Sequence, residues 1–171
     1  MELREIQAPI KERYRAEPDA ALITLTVEAR HGETATACSV DIGRAVYEAQ
    51  AHAGVGGAGT AACSGDLLLG ALAACAQITC QMVAEASGVP VEQVDVTVEG
   101  DLDLRGTLGI ARKAPVGFAA IRTRFDITAP DATDEQIERL RRGTEAYCTV
   151  LQTLLHPPVI ETAWSRGSDA G

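Results

Sequence analysis

The chain of 171 residues has little positive charge, with 15 lysines and arginines against 24 aspartates and glutamates and a formal net charge of −9. It contains no cluster of basic residues. Because nucleic acids and anionic lipid surfaces attract proteins mainly through positive charge, this composition argues against both classes of partner. We therefore expect neither nucleic-acid binding nor membrane binding.

Aromatic residues are also scarce, at 4%, and the core must be built mainly from Ala, Val, Leu and Ile. No two of the five cysteines have CxxC spacing, which argues against a structural zinc site. An odd number of cysteines in a chain of this length is not a disulfide framework. We expect a reducing, cytoplasmic compartment, with no metal and no cofactor. The charged segment Met1–Ile6 lacks the apolar run of a signal peptide.

Two motifs of nucleotide-binding proteins are missing as well. The Gly- and Ala-rich stretch 51–65 has no Gly-Lys-Ser/Thr after it and no GxGxxG set between a strand and a helix. We interpret it as a loop that leads into the next helix. The length indicates one domain over residues 1–171, with an N-terminal arm at 1–20 and a polar tail at 165–171.

An apolar run that begins after Cys63 predicts the central element of the fold, a helix reaching to about Ser87. Ser64 or Asp66 can cap its first turn by accepting hydrogen bonds from backbone N–H groups. Because the run is apolar on nearly all sides, we interpret it as a buried core helix. Its length and the glutamines and glutamate inside it argue against a membrane span. A thiol, Cys75, lies in the middle of this helix.

Period-two alternation predicts strands on both sides of the helix. They are expected at 21–29, 34–41 and 45–48 before it, and at 91–104, 118–128 and 159–164 after it. Thr133 and Gln136 have capping-box spacing and predict the start of a helix that runs to Tyr147. A second helical piece is expected at 149–155. The predicted fold class is α+β, with two antiparallel sheets around a buried central helix.

Two cysteine motifs resemble the OsmC/Ohr family of thiol peroxidases. Gly65–Cys75 is similar to the family's Glu-Leu-Leu-x-Ala-x-x-x-Ala-Cys helix, and Tyr147–Leu151 is similar to its second-cysteine segment, Cys-x-Val or Cys-Pro-Val. The resemblance covers roughly residues 21–164. It is closest to an OsmC-like subgroup with Cys-Ser-Gly-Asp before the helix and Arg-Gly-Thr-Leu-Gly later, here Arg105 to Gly109.

The resemblance implies an OsmC-like fold in an intertwined homodimer whose active sites lie between subunits. It also implies an enzyme that reduces organic hydroperoxides at the expense of a dithiol reductant. In that chemistry Cys75 is the peroxidatic thiolate, which becomes a sulfenic acid. Cys148 is then the resolving thiol, which condenses with it to a disulfide.

A buried thiolate needs a compensating positive charge, since burial alone raises the pKa of a thiol. The resemblance implies that Arg30, on the first hairpin turn, supplies it and that a carboxylate just before the helix holds the arginine. The family has that carboxylate ten positions before the reactive cysteine, where this chain has Gly65. Asp66, one residue later and about 100° further round a helix, is the candidate here. Arg44 and His52 are alternative partners for the thiolate.

Other interpretations remain open at this stage. Cys63, at the helix entrance, is a candidate additional redox thiol, whereas Cys80 and Cys38 are expected to be structural. The same fold could also serve as a non-catalytic dimeric binding module, with Cys75 as a buried thiol beside an apolar pocket. A third alternative is a redox sensor whose disulfide alters a partner surface.

Overall fold

The described part of the chain forms an α+β structure. The computed structural model describes residues 3–25, 27–31, 37–41 and 45–166. In chain order its helices and strands are α1 (Leu3–Ala16), β1 (Glu28–His31), β2 (Ala37–Asp41), β3 (Val46–Gln50), α2 (Ser64–Ser87), β4 (Gln93–Asp101), α3 (Leu104–Thr107), β5 (Ala120–Thr128), α4 (Asp134–Tyr147) and α5 (Thr149–Leu155). Short 3-10 turns lie at Pro18–Ala21 and Ala53–Val55.

Two antiparallel sheets confirm the predicted fold class. The first has the order β1-β2-β3, and the second pairs β4 with β5 from Gln93 opposite Thr128 to Asp101 opposite Ala120. Along β4 and β5 exposed side chains alternate with more buried ones, as expected for a sheet with one face on the core. The inward residues include Val94, Val96 and Phe125, which pack with residues of α2 and α4.

The core lies along one side of α2, which packs against β4, α4 and α5. Its four buried residues recur every fourth position and so share one face, and they are Leu72, Ala76, Cys80 and Ala84. On α4, Leu140 and Thr144 repeat the same spacing, and Cys148 continues it. The two helices approach closely at Gly143, where an added Cβ would lie 2.7 Å from Cγ1 of Val83.

The ends of α2 are capped at both sides. Cys63 is the N-cap residue, and its backbone N–H donates to the Asp66 carboxylate at 2.9 Å. The expectation that Asp66 caps the first turn by accepting a backbone N–H is therefore confirmed, although Asp66 does so from the third helical position. Ser64 is the first residue of the helix and not its N-cap. At the other end Gly88 has a φ of +65°, a left-handed conformation that glycine adopts without steric cost.

The predicted reason for excluding a membrane span, insufficient length, is wrong. With 24 residues, α2 is long and apolar enough to cross a membrane by length and composition. Core helices of globular proteins meet the same criteria. One face of α2 packs against β4, α4 and α5, but Leu68, Ile78 and Met82 on the other side are exposed. The expectation that the helix is buried on nearly all sides is therefore not met within one chain.

Two predicted strands are formed only in part or not at all in the described chain. Residues 22–25 have no regular structure, and β1 begins only at Glu28, although a strand was expected over 21–29. Residues 159–164 are likewise irregular, and Trp164 is 95% exposed. Alternation of apolar and polar residues makes a segment suited to a strand. A strand forms only where its backbone N–H and C=O groups can pair with the edge of a neighbouring strand. A turn was expected at residues 30–33, but Arg30 and His31 are paired in β1, and residues 32–33 lie outside the described residues.

Candidate active site

Cys75 lies near the middle of α2 and is partly buried. It packs against a cluster formed by Leu72, Ala76 and Cys148. The predicted pair Cys75 and Cys148, 73 positions apart in the sequence, is thereby brought into contact. The two thiols are within hydrogen-bonding reach of each other.

Cys148 occupies the junction between two helices. It is the C-cap residue of α4 and the N-cap residue of α5, and it is 0% exposed. The first N–H groups of a helix have no partner within the helix. Those of Thr149 and Val150 lie close enough to the Cys75 sulfur to act as donors that lower the pKa of its thiol. The junction therefore presents free backbone donors to the thiol on α2.

The surroundings of Cys75 favour its thiolate. Burial is the largest single influence and acts to raise the pKa of Cys75, but four hydrogen bonds act against it. They come from the Val150 N–H, the Cys148 thiol, the Thr79 hydroxyl and the Thr149 N–H. Together they bring the pKa of Cys75 below its ordinary value, because donors stabilise the charged form of a thiol.

The neighbouring thiol is affected in the opposite sense. Burial raises the pKa of Cys148, and the adjacent Cys75 raises it further as a negative neighbour and as a hydrogen-bond acceptor. The Leu151 and Val150 N–H groups offset only part of this effect. The pair can hold one negative charge, on Cys75, with the shared proton on Cys148.

Thr79 is a site residue that the sequence analysis missed. Its Oγ1 lies 4.0 Å from the Cys75 sulfur. The two residues are four positions apart on α2, a spacing that places side chains next to each other. The four-residue spacing could therefore have identified Thr79 from the sequence. The backbone donors of Thr149 and Val150 could not have been found in this way.

Of the other predicted site residues, Asp66 lies away from the thiol pair, and Arg30 is described only in its backbone. The backbone of Arg30 is in β1 opposite Ser39, and its side chain is outside what the structure describes. Asp66 caps α2, and its pKa is lowered chiefly by the hydrogen bond from the Cys63 N–H. Nine residues separate Asp66 from Cys75, or about 13 Å along a helix axis. Within one chain Asp66 therefore does not reach the thiol pair.

Comparison with known protein families shows which family this chain belongs to. The family described as OsmC-like protein matches residues 57–163, a span that includes α2, Cys75 and Cys148. The chain belongs to the OsmC-like family. No curated protein sequence matches it significantly.

Several solved structures have the same fold as this OsmC-like chain. An OsmC-like protein from Mycoplasma pneumoniae is 17% identical, with a TM-score of 0.64 over 79% of this chain and 89% of that one. An organic hydroperoxide resistance protein OsmC from Legionella pneumophila is 20% identical, with a TM-score of 0.58 over 80% and 92%. The organic hydroperoxide resistance protein OhrB of Bacillus subtilis is 20% identical, with a TM-score of 0.51 over 80% and 94%. At these identities the likeness concerns the fold alone.

A groove of the OsmC-like chain lies next to residues that surround the thiol pair. It has a volume of about 760 Å³ and runs between α1, α2 and α4. Thr79 and Thr149, which both hydrogen-bond to the Cys75 sulfur, line it, as do the apolar side chains of Met82 and Val83. Cys75 and Cys148 are not among its lining residues, so the groove borders the neighbours of the thiol pair and not the sulfur atoms themselves.

The remaining described candidates of the sequence analysis are not among the residues that surround the Cys75 sulfur. Arg44 lies outside the described residues. His52 lies in the loop before α2 and lines a different pocket together with Cys63. Cys80 is a core residue, 1% exposed, and burial raises its pKa. Cys38 lies in β2 opposite Ala49. Among the described residues no group of His, Cys, Asp and Glu side chains could hold a metal ion.

Proposed function

We propose that the protein is a cysteine-based peroxidase that reduces organic hydroperoxides. The observation that carries the proposal is the contact of two thiols with opposite pKa shifts, Cys75 lowered and Cys148 raised. This is the division of labour that peroxide reduction requires, since the attacking sulfur must be a thiolate and the resolving sulfur can remain a thiol. The names of two structural neighbours, which are organic hydroperoxide resistance proteins, agree with it.

The reaction begins at Cys75. Its thiolate attacks the terminal oxygen of the hydroperoxide, the O–O bond breaks, and the products are a sulfenic acid and an alkoxide that is protonated to the alcohol. The sulfur is oxidised by two electrons, and the peroxide is reduced by two. The N–H groups of Thr149 and Val150 hold the thiolate in place before the attack.

Cys148 completes the catalytic half-cycle. Its sulfur displaces the hydroxyl group of the sulfenic acid, which leaves as water, and a Cys75–Cys148 disulfide forms. A dithiol then reduces this disulfide by exchange and is itself oxidised. All five cysteines are free thiols in the structure, as such a cycle requires in its reduced state. A reducing, cytoplasmic location would supply the electrons.

Two serine variants test the assignment. Cys75→Ser should abolish consumption of cumene hydroperoxide in the presence of dithiothreitol. Cys148→Ser should allow one oxidation that leaves a sulfenic acid at Cys75, seen by mass spectrometry after one equivalent of peroxide. Cys38→Ser, which changes a thiol in strand β2, is the matched control and should turn over normally.

Other results would favour the alternatives. A Cys75–Cys148 disulfide that forms but is not turned over by dithiols would indicate a redox sensor. An absence of peroxide reaction at any thiol would indicate a binding module. Oxidation of Cys63 or Cys80 in place of Cys75 would show that the roles are assigned wrongly.

We also propose that two copies assemble into a homodimer. Leu68, Ile78 and Met82 are exposed and lie within about 80° of each other around α2. The irregular segments 22–25 and 159–164 add exposed apolar side chains, suited to strands that pair with another chain. Covering these surfaces with a second copy would remove them from water.

Light scattering at micromolar concentration tests the assembly. The expected mass is twice that of the 17.9 kDa chain. Ile78→Glu should shift the mass toward the monomer because it places a charge in the proposed interface. Ile110→Glu, at an exposed position in the loop after α3, should not. A monomer mass for the unmodified protein would contradict the proposed homodimer.

Arg30 and Asp66 remain candidates for supporting roles in such an assembly. Because Asp66 lies about 13 Å from Cys75 along its own helix, only a second copy could bring this carboxylate to the thiol pair. The pH dependence of iodoacetamide alkylation at Cys75 tests Arg30. If the curves of the parent and Arg30→Met coincide, Arg30 does not activate the thiol.

A further inference from the structure

The helix break at Cys148 frees two backbone donors that act on the Cys75 sulfur. At Cys148 the backbone leaves the helical conformation, with a ψ of 101°. If α4 continued through this residue, the Thr149 N–H would pair with the Glu145 carbonyl, four positions before it. Because the helix breaks, that N–H acts instead as a donor to the Cys75 sulfur, together with the Val150 N–H.

A side chain takes the place of the missing helical donor. The Gln152 amide Nε2 donates to the Glu145 carbonyl at 2.8 Å, across seven positions of the chain. Carbonyls in the last turn of a helix otherwise have no partner within it. The backbone N–H of Gln152 donates to the Cys148 carbonyl at 2.9 Å, the first helical hydrogen bond of α5. Gln152 therefore holds the end of α4 with its side chain and the start of α5 with its backbone.

Two donors compete for the Glu145 carbonyl. If the junction straightened into one continuous helix, this carbonyl would accept the Thr149 N–H, and the Cys75 sulfur would lose that donor. With the Gln152 amide in place, the carbonyl already has its partner in the broken arrangement. An unpaired backbone carbonyl costs free energy, so the amide removes a gain that straightening would otherwise bring.

We propose that Gln152 is a positioning residue for the reactive thiol: its side chain holds the break between α4 and α5 and so keeps the N–H groups of Thr149 and Val150 directed at Cys75. Gln152 is not itself among the donors to that sulfur, and it acts through the backbone of the junction. Its importance for catalysis rests on the proposed peroxidase function, whereas the placement of the donors can be tested without peroxide.

Other groups near the thiol can also influence its titration. The strands β4 and β5 bring apolar side chains to the cluster around Cys75, and the Glu145 carboxylate is paired with Arg141. The charged or titratable side chains that line the spaces beside Thr79, Thr149 and Gln152 are those of Lys11 in α1, Arg139 and Tyr147 in α4, and His156 after α5. A neutral replacement of Gln152 leaves all of these groups, and the Cys148 thiol, in place.

Gln152→Met tests the role, because methionine has nearly the same length and no hydrogen-bond donor. Alkylation of Cys75 by iodoacetamide across the pH range, followed by mass spectrometry on the reduced full-length protein, measures the pKa of the thiol. Gln136→Met is the matched control. It makes the same substitution at the other end of α4 and removes the hydrogen bond that the Gln136 side chain accepts from the Thr133 N–H at 2.8 Å. Urea denaturation compares the stability of the two variants.

We expect the thiolate fraction of Cys75 at acidic pH to fall about tenfold in Gln152→Met, the effect of losing about one hydrogen bond to a charged group. Gln136→Met should lose stability and keep the pH profile of the parent. A Gln152→Met profile that coincides with that of the parent would overturn the proposal. Equal shifts in both variants would also overturn it, because they would indicate a general loosening of α4.

Proline at position 149 tests the mechanism from the other side. Thr149 is the first residue of α5, where proline fits a helix, and Thr149→Pro removes one donor to Cys75. The proline ring also clashes with the carbonyl four positions earlier and so prevents the junction from straightening. In the Thr149→Pro background, Gln152→Met should therefore shift the titration of Cys75 less than it does alone. A further shift of the same size would overturn the competition for the Glu145 carbonyl.

The consumption of cumene hydroperoxide by the parent protein is measured separately. If the parent consumes none and Gln152→Met still shifts the titration of Cys75, the peroxidase proposal fails and the positioning role of Gln152 stands. If the parent consumes peroxide and Gln152→Met leaves the titration unchanged, the positioning role fails and the peroxidase proposal stands.

Discussion

The hydrogen bond from Thr79 to Cys75 offers the sharpest test of how the reactive thiol is activated. Replacing Thr79 with valine keeps the shape of the side chain and removes the hydroxyl that lies 4.0 Å from the sulfur. A hydrogen bond to a charged group contributes about 1.5–3 kcal/mol, and the long separation places this one at the low end. Since about 1.4 kcal/mol is a factor of ten in an equilibrium, the thiolate fraction of Cys75 at acidic pH should fall about tenfold.

The reaction rate should change less than the thiolate fraction. A thiolate of higher pKa is a stronger nucleophile, with a Brønsted coefficient of about 0.4–0.5, so that roughly a threefold gain offsets part of the tenfold loss. Below the pKa of Cys75 the Thr79→Val variant should react about threefold more slowly than the parent. Well above that pKa, where Cys75 is ionised in the parent and in the variant alike, the variant should react about threefold faster. The two curves of rate against pH must therefore cross.

Alkylation of Cys75 by iodoacetamide across the pH range, followed by mass spectrometry, measures both curves. Thr79→Ser keeps the hydroxyl and should follow the parent, and Thr97→Val, on the exposed side of β4, controls for the loss of a hydroxyl elsewhere. Parallel curves that differ at every pH by one factor would indicate altered access to the sulfur and would refute the hydrogen-bond argument.

Three further predictions concern the thiol pair and the packing around it. The thiolate absorbance near 240 nm that Cys75→Ser abolishes should appear at a lower pH than the thiolate absorbance of free cysteine. Cys148→Ala should raise the pH at which it appears more than Cys148→Ser does, because serine keeps a hydrogen-bond donor; equal titration curves of the two variants would contradict this. Gly143→Ala should lower the free energy of unfolding by about 1 kcal/mol in urea denaturation, because overlap with Val83 costs about 1–3 kcal/mol and helix propensity returns about 1; a more stable variant would show that Val83 moves aside freely. Thr133→Ala should cost about 1 kcal/mol through loss of the hydrogen bond from the Gln136 N–H, whereas Thr133→Ser should be close to neutral; equal losses in both would show that the cap is not the cause.

The local elements were determined by the sequence to a large extent, because their signals are local. Apolar character over 24 residues and a glycine at Gly88 were enough to place α2 and its end. The spacing of Thr133 and Gln136 placed the start of α4, where both reciprocal hydrogen bonds are formed. Alternation located β4 and β5 to within a few residues. The cysteine motifs identified the family, which the match over residues 57–163 confirms.

Alternation alone failed at residues 22–25 and 159–164, which have the pattern of strands and no regular structure in the described chain. A strand is made by pairing, and pairing depends on an edge contributed by another part of the fold or by another chain. The N-cap residue of α2, Cys63, was not predicted for a related reason, although Asp66 was correctly expected to cap the first turn. The residue at which the helix begins depends on the path of the preceding loop, where Gln50 pairs with Cys63 in a parallel bridge.

Only the tertiary structure decided what surrounds the reactive sulfur. Sequence reasoning required a stabilising partner for a buried thiolate and looked for a charged side chain, because charged residues are visible in a sequence. Among the described residues the partners are instead backbone N–H groups of Thr149 and Val150, the Thr79 hydroxyl and the Cys148 thiol. Backbone donors exist at every residue other than proline, and only the meeting of α4 and α5 at Cys148 leaves these two free and directs them at α2.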